Sequence, residues 1–428
     1  MITDRKYSRV MFKLLCLYLL VVTIVPGYIS FSVGLFELST DRMFLMILLL
    51  LIVVGLFSFR KFRGNLKINV RANKSIFLLV FSLLFFQLLS VFTSVNPTYS
   101  FKRYLNFALL SGVPFMAVFS LGRESLDFRF LGRVLTFAIS TLVVICLVEW
   151  ITEENVFSAF VDTDTLNEFQ QQQLLEKVRG EARRIQGPFS HPLALGQFSV
   201  TIIPIFLYLR RFLRGKTMIS LSIALLGMLM LLTRSRTVFI ILLVSVCVYG
   251  YHYLRFHRHG IAVKAMVLIT GLVVGVIGVS VIDPTLLQEF FGGRELTQDT
   301  NRLTQVVMAW PLILKNVWLG FGFGMGSQTL GFGTSQSEFG TIDNYFLTLV
   351  LDSGVIVLGI FMAICYQTIK LYFRLTGSAK FMFYGLLFFI INLFTLSIID
   401  VHTFFYTFLA IILVNGSQFT QTGSNSIS

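Results

Sequence analysis

Residues 42–74 read RMFLMILLLLIVVGLFSFRKFRGNLKINVRANK, and this stretch decides the class of the chain. From Met43 to Phe59 no charge interrupts a run that approaches the roughly 20 apolar residues needed to cross a bilayer. Arg60, Lys61, Arg63, Lys67, Arg71 and Lys74 then crowd one short segment that holds no acid. An apolar run closed by a basic cluster is the pattern of a membrane span followed by a cytoplasmic connection. The whole chain repeats it. Hydrophobic residues are 55% of 428 and charged residues 13%, about half the share in a soluble domain, so the chain is built for lipid.

Comparable runs lie at 11–32, 42–59, 74–93, 104–120, 131–150, 192–209, 217–233, 237–254, 263–282, 342–369, 381–398 and 401–417, which predicts about 12 transmembrane helices. The basic start (Arg5, Lys6, Arg9, Lys13) lacks a following small-x-small cleavage site and is read as part of a retained first helix. With the N-terminus in the cytoplasm, about two-thirds of the 35 basic residues fall inside, and every acid but Asp4, Glu124 and Asp127 falls outside. Both termini are therefore expected in the cytoplasm. The net charge of +14 is then a topology signal, and no nucleic-acid partner is called for. The expected fold class is an all-α polytopic membrane protein with a single transmembrane domain over residues 1–416. Two long outer loops, about 151–191 and 283–341, should carry interfacial helices, including one around Phe169–Leu175 and an amphipathic stretch from Asn301 to Leu319. A polar tail, 417–428, is expected to be disordered. Cys16, Cys146, Cys247 and Cys365 all sit in apolar runs, so neither a disulfide framework nor a thiolate metal site is indicated. No metal and no cofactor are expected.

The chemistry-bearing residues cluster at the outer ends of the spans. Arg183-Arg184-Ile185-Gln186-Gly187-Pro188-Phe189-Ser190-His191-Pro192 leads into the sixth span, its Gly and Pro residues fixing a turn before a helix start that suits an anion. The bland reading is that the arginines snorkel to headgroups or pair with Glu181. Thr233-Arg234-Ser235-Arg236-Thr237 is the whole connection between spans seven and eight. Two arginines in so tight a turn are costly to desolvate, and they fork phosphate oxygens well. Arg302 opens the amphipathic segment, with Gln305 one turn on, and Trp310, Pro311 and Trp318 mark an aromatic, kinked interfacial stretch. Gly320-Phe321-Gly322-Phe323-Gly324-Met325-Gly326 has no strand–helix context and is no nucleotide fingerprint. It reads as a flexible loop with exposed N–H groups and aromatic surfaces. Asp162-Thr163-Asp164 imitates a metal-binding DxD but lies where nucleotide sugars are absent. Asp343-Asn344 stands at the start of span ten, where Asp343 either caps the helix or accepts a proton from a hydroxyl. Asp352 is nine residues deeper on the opposite face of a regular helix, so it faces a second polar cavity or marks a break near Gly354.

In order and spacing these pieces resemble the O-antigen ligase/polymerase superfamily of bacterial envelope glycan enzymes. The residues that carry the resemblance are Arg184-x-x-Gly187-Pro188-Phe189, Ser235-Arg236, Asn301-Arg302 with Trp310, Gly320 to Gly324, and Asp343-Asn344 followed by Gly354. They cover residues 180 to 370. The resemblance implies a GT-C-like architecture in the cytoplasmic membrane, acting on glycans linked to undecaprenyl diphosphate at its outer face. It implies Asp343, Arg236 and Arg302 as catalytic residues, and Arg183, Arg184, Arg234, His191, Asn344, Gly322 and Gly324 as substrate-binding ones. The bilayer, a chain-length regulator and a flippase of the same pathway are the implied partners. Ligases of this superfamily usually carry His where this chain has Asp343, and His191 and His402 do not clearly replace it. That favours a repeat-unit polymerase. A ligase and a lipid-linked sugar transporter remain the alternatives.

Overall fold

The computed structural model describes residues 4–33, 36–160, 178–179, 182–213, 216–233, 235, 238, 241, 244, 296–332, 342–373, 375, 379–394 and 401–421. Apart from two small hairpins and single turns of tighter helix, the regular structure described is α-helical. The first helix, α1 (Asp4–Ile24), stops before Pro26-Gly27. The chain then turns through an antiparallel hairpin, β1 (Ser30–Val33) and β2 (Phe36–Ser39), with Ser30 opposite Ser39. The expected span 11–32 is corrected accordingly: it lies closer to the N-terminus, because the proline and glycine end it.

After α2 (Thr40–Ser58) the basic segment is a helix, α3 (Arg60–Ala72), where the sequence was read as a connecting loop. The reason is a sorting of side chains. Lys61, Arg63, Lys67 and Arg71 are exposed, while Phe62 and Asn69 are buried. The Asn69 amide donates to the carbonyls of Phe119 at 2.8 Å and Leu121 at 3.1 Å, fastening α3 to the end of α5 (Pro97–Ser120). The chain continues through α4 (Lys74–Val91), α5 and α6 (Phe128–Thr152). A second hairpin, β3 (Val178–Arg179) and β4 (Ala182–Arg183), precedes α7 (Pro192–Leu209) and α8 (Lys216–Leu232). Then come α9 (Leu296–Lys315), the single turn α10 (Gly326–Thr329), α11 (Tyr345–Leu371), α12 (Ala379–Asn392) and α13 (His402–Gln421).

Among the described residues six helices are long and apolar enough to cross a membrane: α1, α2, α4, α6, α7 and α11. The protein is an all-α, multi-pass membrane protein. The runs at 104–120, 217–233, 381–398 and 401–417 are present as α5, α8, α12 and α13 of the same bundle. The runs at 237–254 and 263–282 lie outside the described residues except for Val238, Ile241 and Val244. So do Phe169–Leu175 and Asp162-Thr163-Asp164. Helix α13 continues to Gln421, past the point where the tail was expected to begin, and α9 begins at Leu296 rather than Asn301.

Hydrogen bonds between distant segments define two ends of the bundle. At one end α3 meets α1 (Lys61 N–H to Asp4, 3.1 Å), Asn73 meets the Leu413 carbonyl at 3.3 Å, and Arg123 donates to the Val414 carbonyl at 2.7 Å. This is the basic end. At the other, which we call the loop end, Arg42 donates to Asn106 at 2.9 Å and Ser100, on α5, donates to the Phe323 carbonyl of the glycine-rich segment at 2.9 Å. Between the ends, α7 is the central helix: 89% of its apolar window is buried, against 28% for lipid-facing α2. It packs on α12 so closely that a Cβ on Gly385 would stand 2.6 Å from the Thr201 carbonyl, the small-residue contact by which membrane helices meet.

Helix α11 is broken. Gly354 has φ 79° and ψ 177°, a conformation open in practice to glycine alone. The freed backbone groups find partners in the segment before α10. Phe321 N–H donates to the Leu351 carbonyl at 2.8 Å, Gly322 N–H to the Asp352 carbonyl at 2.9 Å, and Val355 N–H to the Val317 carbonyl at 2.8 Å. Of the two placements considered for Asp352, the helix does break at Gly354, and Asp352 is buried beneath the docked loop. Gly354→Ala must strain this backbone and drive a Cβ against the Trp318 carbonyl, so it is expected to destabilise the protein by about 2–4 kcal/mol. Gly359, with open space around it, is the control. Thermal unfolding in detergent should show a clear drop for the first variant and none for Gly359→Ala.

Candidate functional site

The segment leading into α7 is held by a carboxylate that the sequence reading passed over. Glu149, in the last turn of α6 and only 2% exposed, accepts the Gln186 N–H at 3.1 Å and the Gly187 N–H at 2.7 Å, one on each oxygen. A buried carboxylate that accepts two amide protons fixes a loop strongly, because releasing either leaves a desolvated charge short of a donor. Ile185, Gln186, Gly187, Pro188 and Phe189 are all buried as a result. Next to this clamp Ile185 N–H reaches the Leu232 carbonyl at 3.4 Å, and Arg184 Nε donates to the Thr233 carbonyl at 2.9 Å. The Arg184 segment and Thr233, some fifty positions apart in sequence, therefore meet at the end of α8. Ser235 is buried there, its hydroxyl receiving the Val238 N–H at 3.4 Å. Arg234 and Arg236 lie outside the described residues, and the backbone places Arg183 in β4 and Arg302 in the second turn of α9. Arg302 had been expected in the first turn; the earlier helix start moves it inward.

His191 is the N-cap of α7. Its Nδ1 accepts the Leu193 N–H at 3.0 Å, with Pro192 as the first helical residue, so one ring nitrogen is occupied in capping. The same job at α11 falls to Asn344, whose side-chain oxygen receives the Phe346 and Leu347 N–H groups at 2.9 and 3.2 Å. Two assignments change with this. Asn344, read as a substrate contact, has its carbonyl oxygen engaged in the cap, and Asp343, read as a possible cap, is not the capping residue. The Asp343 backbone is tied instead to α9, its N–H donating to Oε1 of Gln305 at 3.1 Å. Gln305 is buried and stands one turn from Arg302. One contact thus joins the Arg302 helix to the start of α11.

A chain of aromatic contacts links the two halves of this end. Phe189 lies 5.3 Å from Phe198, and Phe198 lies 5.0 Å from Phe404 in the first turn of α13. His402, fully buried at the start of the same helix, is 4.8 Å from the ring of Tyr345, with Phe389 and Phe107 on its other sides. Tyr345 follows Asp343-Asn344 directly. The fold therefore brings the Arg184 loop, the Thr233 turn, α9 and Asp343 to one end of one bundle.

The glycine-rich segment is corrected. It was expected to be flexible with exposed N–H groups, yet Phe321, Gly322 and Met325 donate to carbonyls, and Gly326 N–H donates to Asp352 Oδ1 at 2.6 Å. Thr93 and Ser100 grip the carbonyls of Gly320 and Phe323. Gly322 and Gly324, assigned to substrate binding, serve first as the tight points at which this loop passes Ser94 and Arg103. What remains open is aromatic: Trp310 and Trp318 are 59% and 67% exposed at the membrane boundary. Arg103, also unassigned before, stacks over Tyr99 at 5.3 Å beside Gly324. Glu149, as an acid within an apolar run, and Arg103, as a basic residue at the start of one, were the signals that could have marked both.

Residues 221–362, about a third of the chain, match the family model described as O-antigen ligase. The match spans the Thr233 turn, Arg302, the glycine-rich loop, Asp343 and Gly354, and identifies their resemblance as one to the O-antigen ligase/polymerase superfamily. The Arg184 loop lies outside it and is joined to it by the Arg184–Thr233 and Ile185–Leu232 bonds. No curated protein matches the chain.

Glu149→Ala removes both acceptors from the Gln186 and Gly187 amides and is expected to cost about 1–3 kcal/mol. Glu149→Gln keeps one acceptor oxygen and should lose less. Hydrogen exchange read by mass spectrometry should rise at residues 185–189 in the order wild type, Gln, Ala; equal exchange in all three would mean the clamp does not hold the loop.

Proposed function

We propose that the protein polymerises oligosaccharide repeat units linked to undecaprenyl diphosphate, building a surface polysaccharide at the outer face of the bacterial cytoplasmic membrane. The observation that carries this reading is the family match over a segment in which Asp343, relieved of capping by Asn344, is tethered to the Arg302 helix through Gln305. The same proposal includes the full set of twelve spans, a GT-C-like arrangement, both termini in the cytoplasm and the loop end facing outward.

In this mechanism Asp343 takes the proton of the acceptor hydroxyl as its oxygen attacks the anomeric carbon of the donor glycan. The bond from that carbon to the diphosphate oxygen breaks, its electron pair leaves with the lipid diphosphate, and the anomeric centre inverts. Arg236 and Arg302 stabilise the charge that develops on the leaving group, with Arg184, Arg183 and Arg234 holding the diphosphate. The energy of the reaction resides in the lipid diphosphate bond itself. An acceptor that is another lipid-linked repeat unit makes the enzyme a polymerase, and the carboxylate at Asp343, where ligases of the superfamily usually have His, favours that over transfer to lipid A–core. A flippase of the same pathway would supply the substrate, and a chain-length regulator would be a natural partner.

Deletion in the native bacterium should leave a single repeat unit on the acceptor. Accumulated long lipid-linked chains would identify a ligase instead, and unchanged glycans would rule out both. Asp343→Asn is expected to lower polymer formation by at least about 100-fold and Arg236→Ala by about 100- to 1,000-fold, at unchanged protein level. Polymer analysis by gel together with membrane immunoblotting checks both. Full activity in the two variants would remove the proposed site.

A further inference from the structure

At the basic end, opposite the candidate site, the surface of the bundle holds a half-open cavity of about 140 Å³. Its walls come from three places: the α3–α4 junction, the last turns of α11, and Leu413 on α13. Two lysines line it from positions almost three hundred residues apart, Lys74 at the start of α4 and Lys370 at the end of α11, the latter with its ammonium 5.9 Å from the centroid of the exposed Tyr366 ring. Asn73, Ser75 and Gln367 are the remaining polar residues, and no Asp or Glu is among those that line it. Among the described residues neither lysine has a carboxylate within 4.0 Å; the ion pair those residues form at this end is Lys61 with Glu124, at 3.8 Å, away from the cavity. The Asn73 side chain does not cap α4, since its amide is turned to the Asn69 and Leu413 carbonyls. The first-turn N–H groups at Lys74, Ser75 and Ile76 thereby add donors to a wall that is already cationic.

The depth of the cavity follows from its helices. It lies where α4 begins and α11 ends, and both are membrane-crossing segments, so it stands at the headgroup layer of the leaflet on the basic side. The neighbouring helix α3 presents Arg63, Lys67 and Arg71 together with the 65% exposed Ile68, the composition of a helix that rests on a charged lipid surface.

We propose that this cavity is a binding site for the phosphate of an anionic phospholipid of that leaflet, with the acyl chains lying along the lipid-facing flank of α4 and α11. Exposed Leu78, Phe81, Met362 and Ile369 form that flank. A phosphodiester satisfies both lysines at once, and its chains hold it in place. The assignment is independent of the chemistry proposed for the other end. Each lysine near an anionic membrane contributes enough that removing both should weaken retention of the lipid roughly thirty-fold.

The test uses the full chain, purified in detergent and examined by native mass spectrometry after exchange into phosphatidylglycerol or, separately, phosphatidylcholine. Wild type should retain one phosphatidylglycerol more tightly than any phosphatidylcholine, and Lys74→Gln with Lys370→Gln should lose it. Both lysines are exposed, so the variant should fold as wild type does, and its melting temperature without lipid checks this. Lys61→Gln, outside the cavity, should keep the lipid. Equal loss in the Lys61 variant would mean diffuse attraction to the basic end and would overturn the site. Displacement of the lipid by inorganic phosphate alone, in large excess, would reassign the cavity to free phosphate and overturn the lipid assignment.

Discussion

The arrangement depends on a backbone exchange at Gly354. In hydrocarbon an unpaired N–H or C=O group costs several kcal/mol, so a helix that breaks there must hand its freed groups to another segment. Residues 317–322 take them, and the Asp352 carboxylate adds the Gly326 N–H. This exchange turns a glycine-rich run with little helix propensity into a fixed part of the bundle. Helix α9 leads directly into the docked run, and Gln305 ties it to the start of α11, so the exchange and this tether together locate α9 relative to Asp343. The candidate catalytic end is therefore positioned by a feature deeper in the membrane.

The two helix starts at this end solve the same problem with different residues. At α7 a histidine caps, and the preceding loop is clamped by Glu149; at α11 an asparagine caps, and the preceding Asp343 is tied through its backbone to Gln305. Polar residues adjacent in sequence thus divide the work of ending a helix and facing the loop end. His402 illustrates the opposite use of a polar group: enclosed by Tyr345, Phe107 and Phe389, it is part of the packing that joins α5, α11, α12 and α13.

The sequence made the membrane class legible because apolar run length and basic-residue placement are direct consequences of bilayer thickness and insertion. It also marked Asp343, Arg184 and the glycine-rich loop, since charged residues at helix ends and clustered glycines need reasons. Other features were hidden by their nature. Helix α3 was read as a loop because its charges dominate the count, and only its buried Phe62 and Asn69 reveal a face. The choice of Asn344 over Asp343 as the cap depends on backbone angles that two adjacent cap-forming residues leave undetermined. The locked state of the glycine-rich loop is set by partners thirty residues away, at Leu351 and Asp352, which no local pattern contains.

The break in α11 also bears on how the chain is assembled. Ribosomal synthesis delivers residues 317–326 before Gly354, so the segment that pairs with the freed backbone groups exists before those groups emerge. The segment 345–371 is apolar enough to insert as one uninterrupted helix, and the hydrogen-bonding rule of the lipid interior favours that state while it is alone. Unwinding at Gly354 is then an event of lateral association: it becomes favourable only when this helix meets the waiting loop against α4 and α5. The mature shape of the tenth expected span is acquired after insertion, as a tertiary contact.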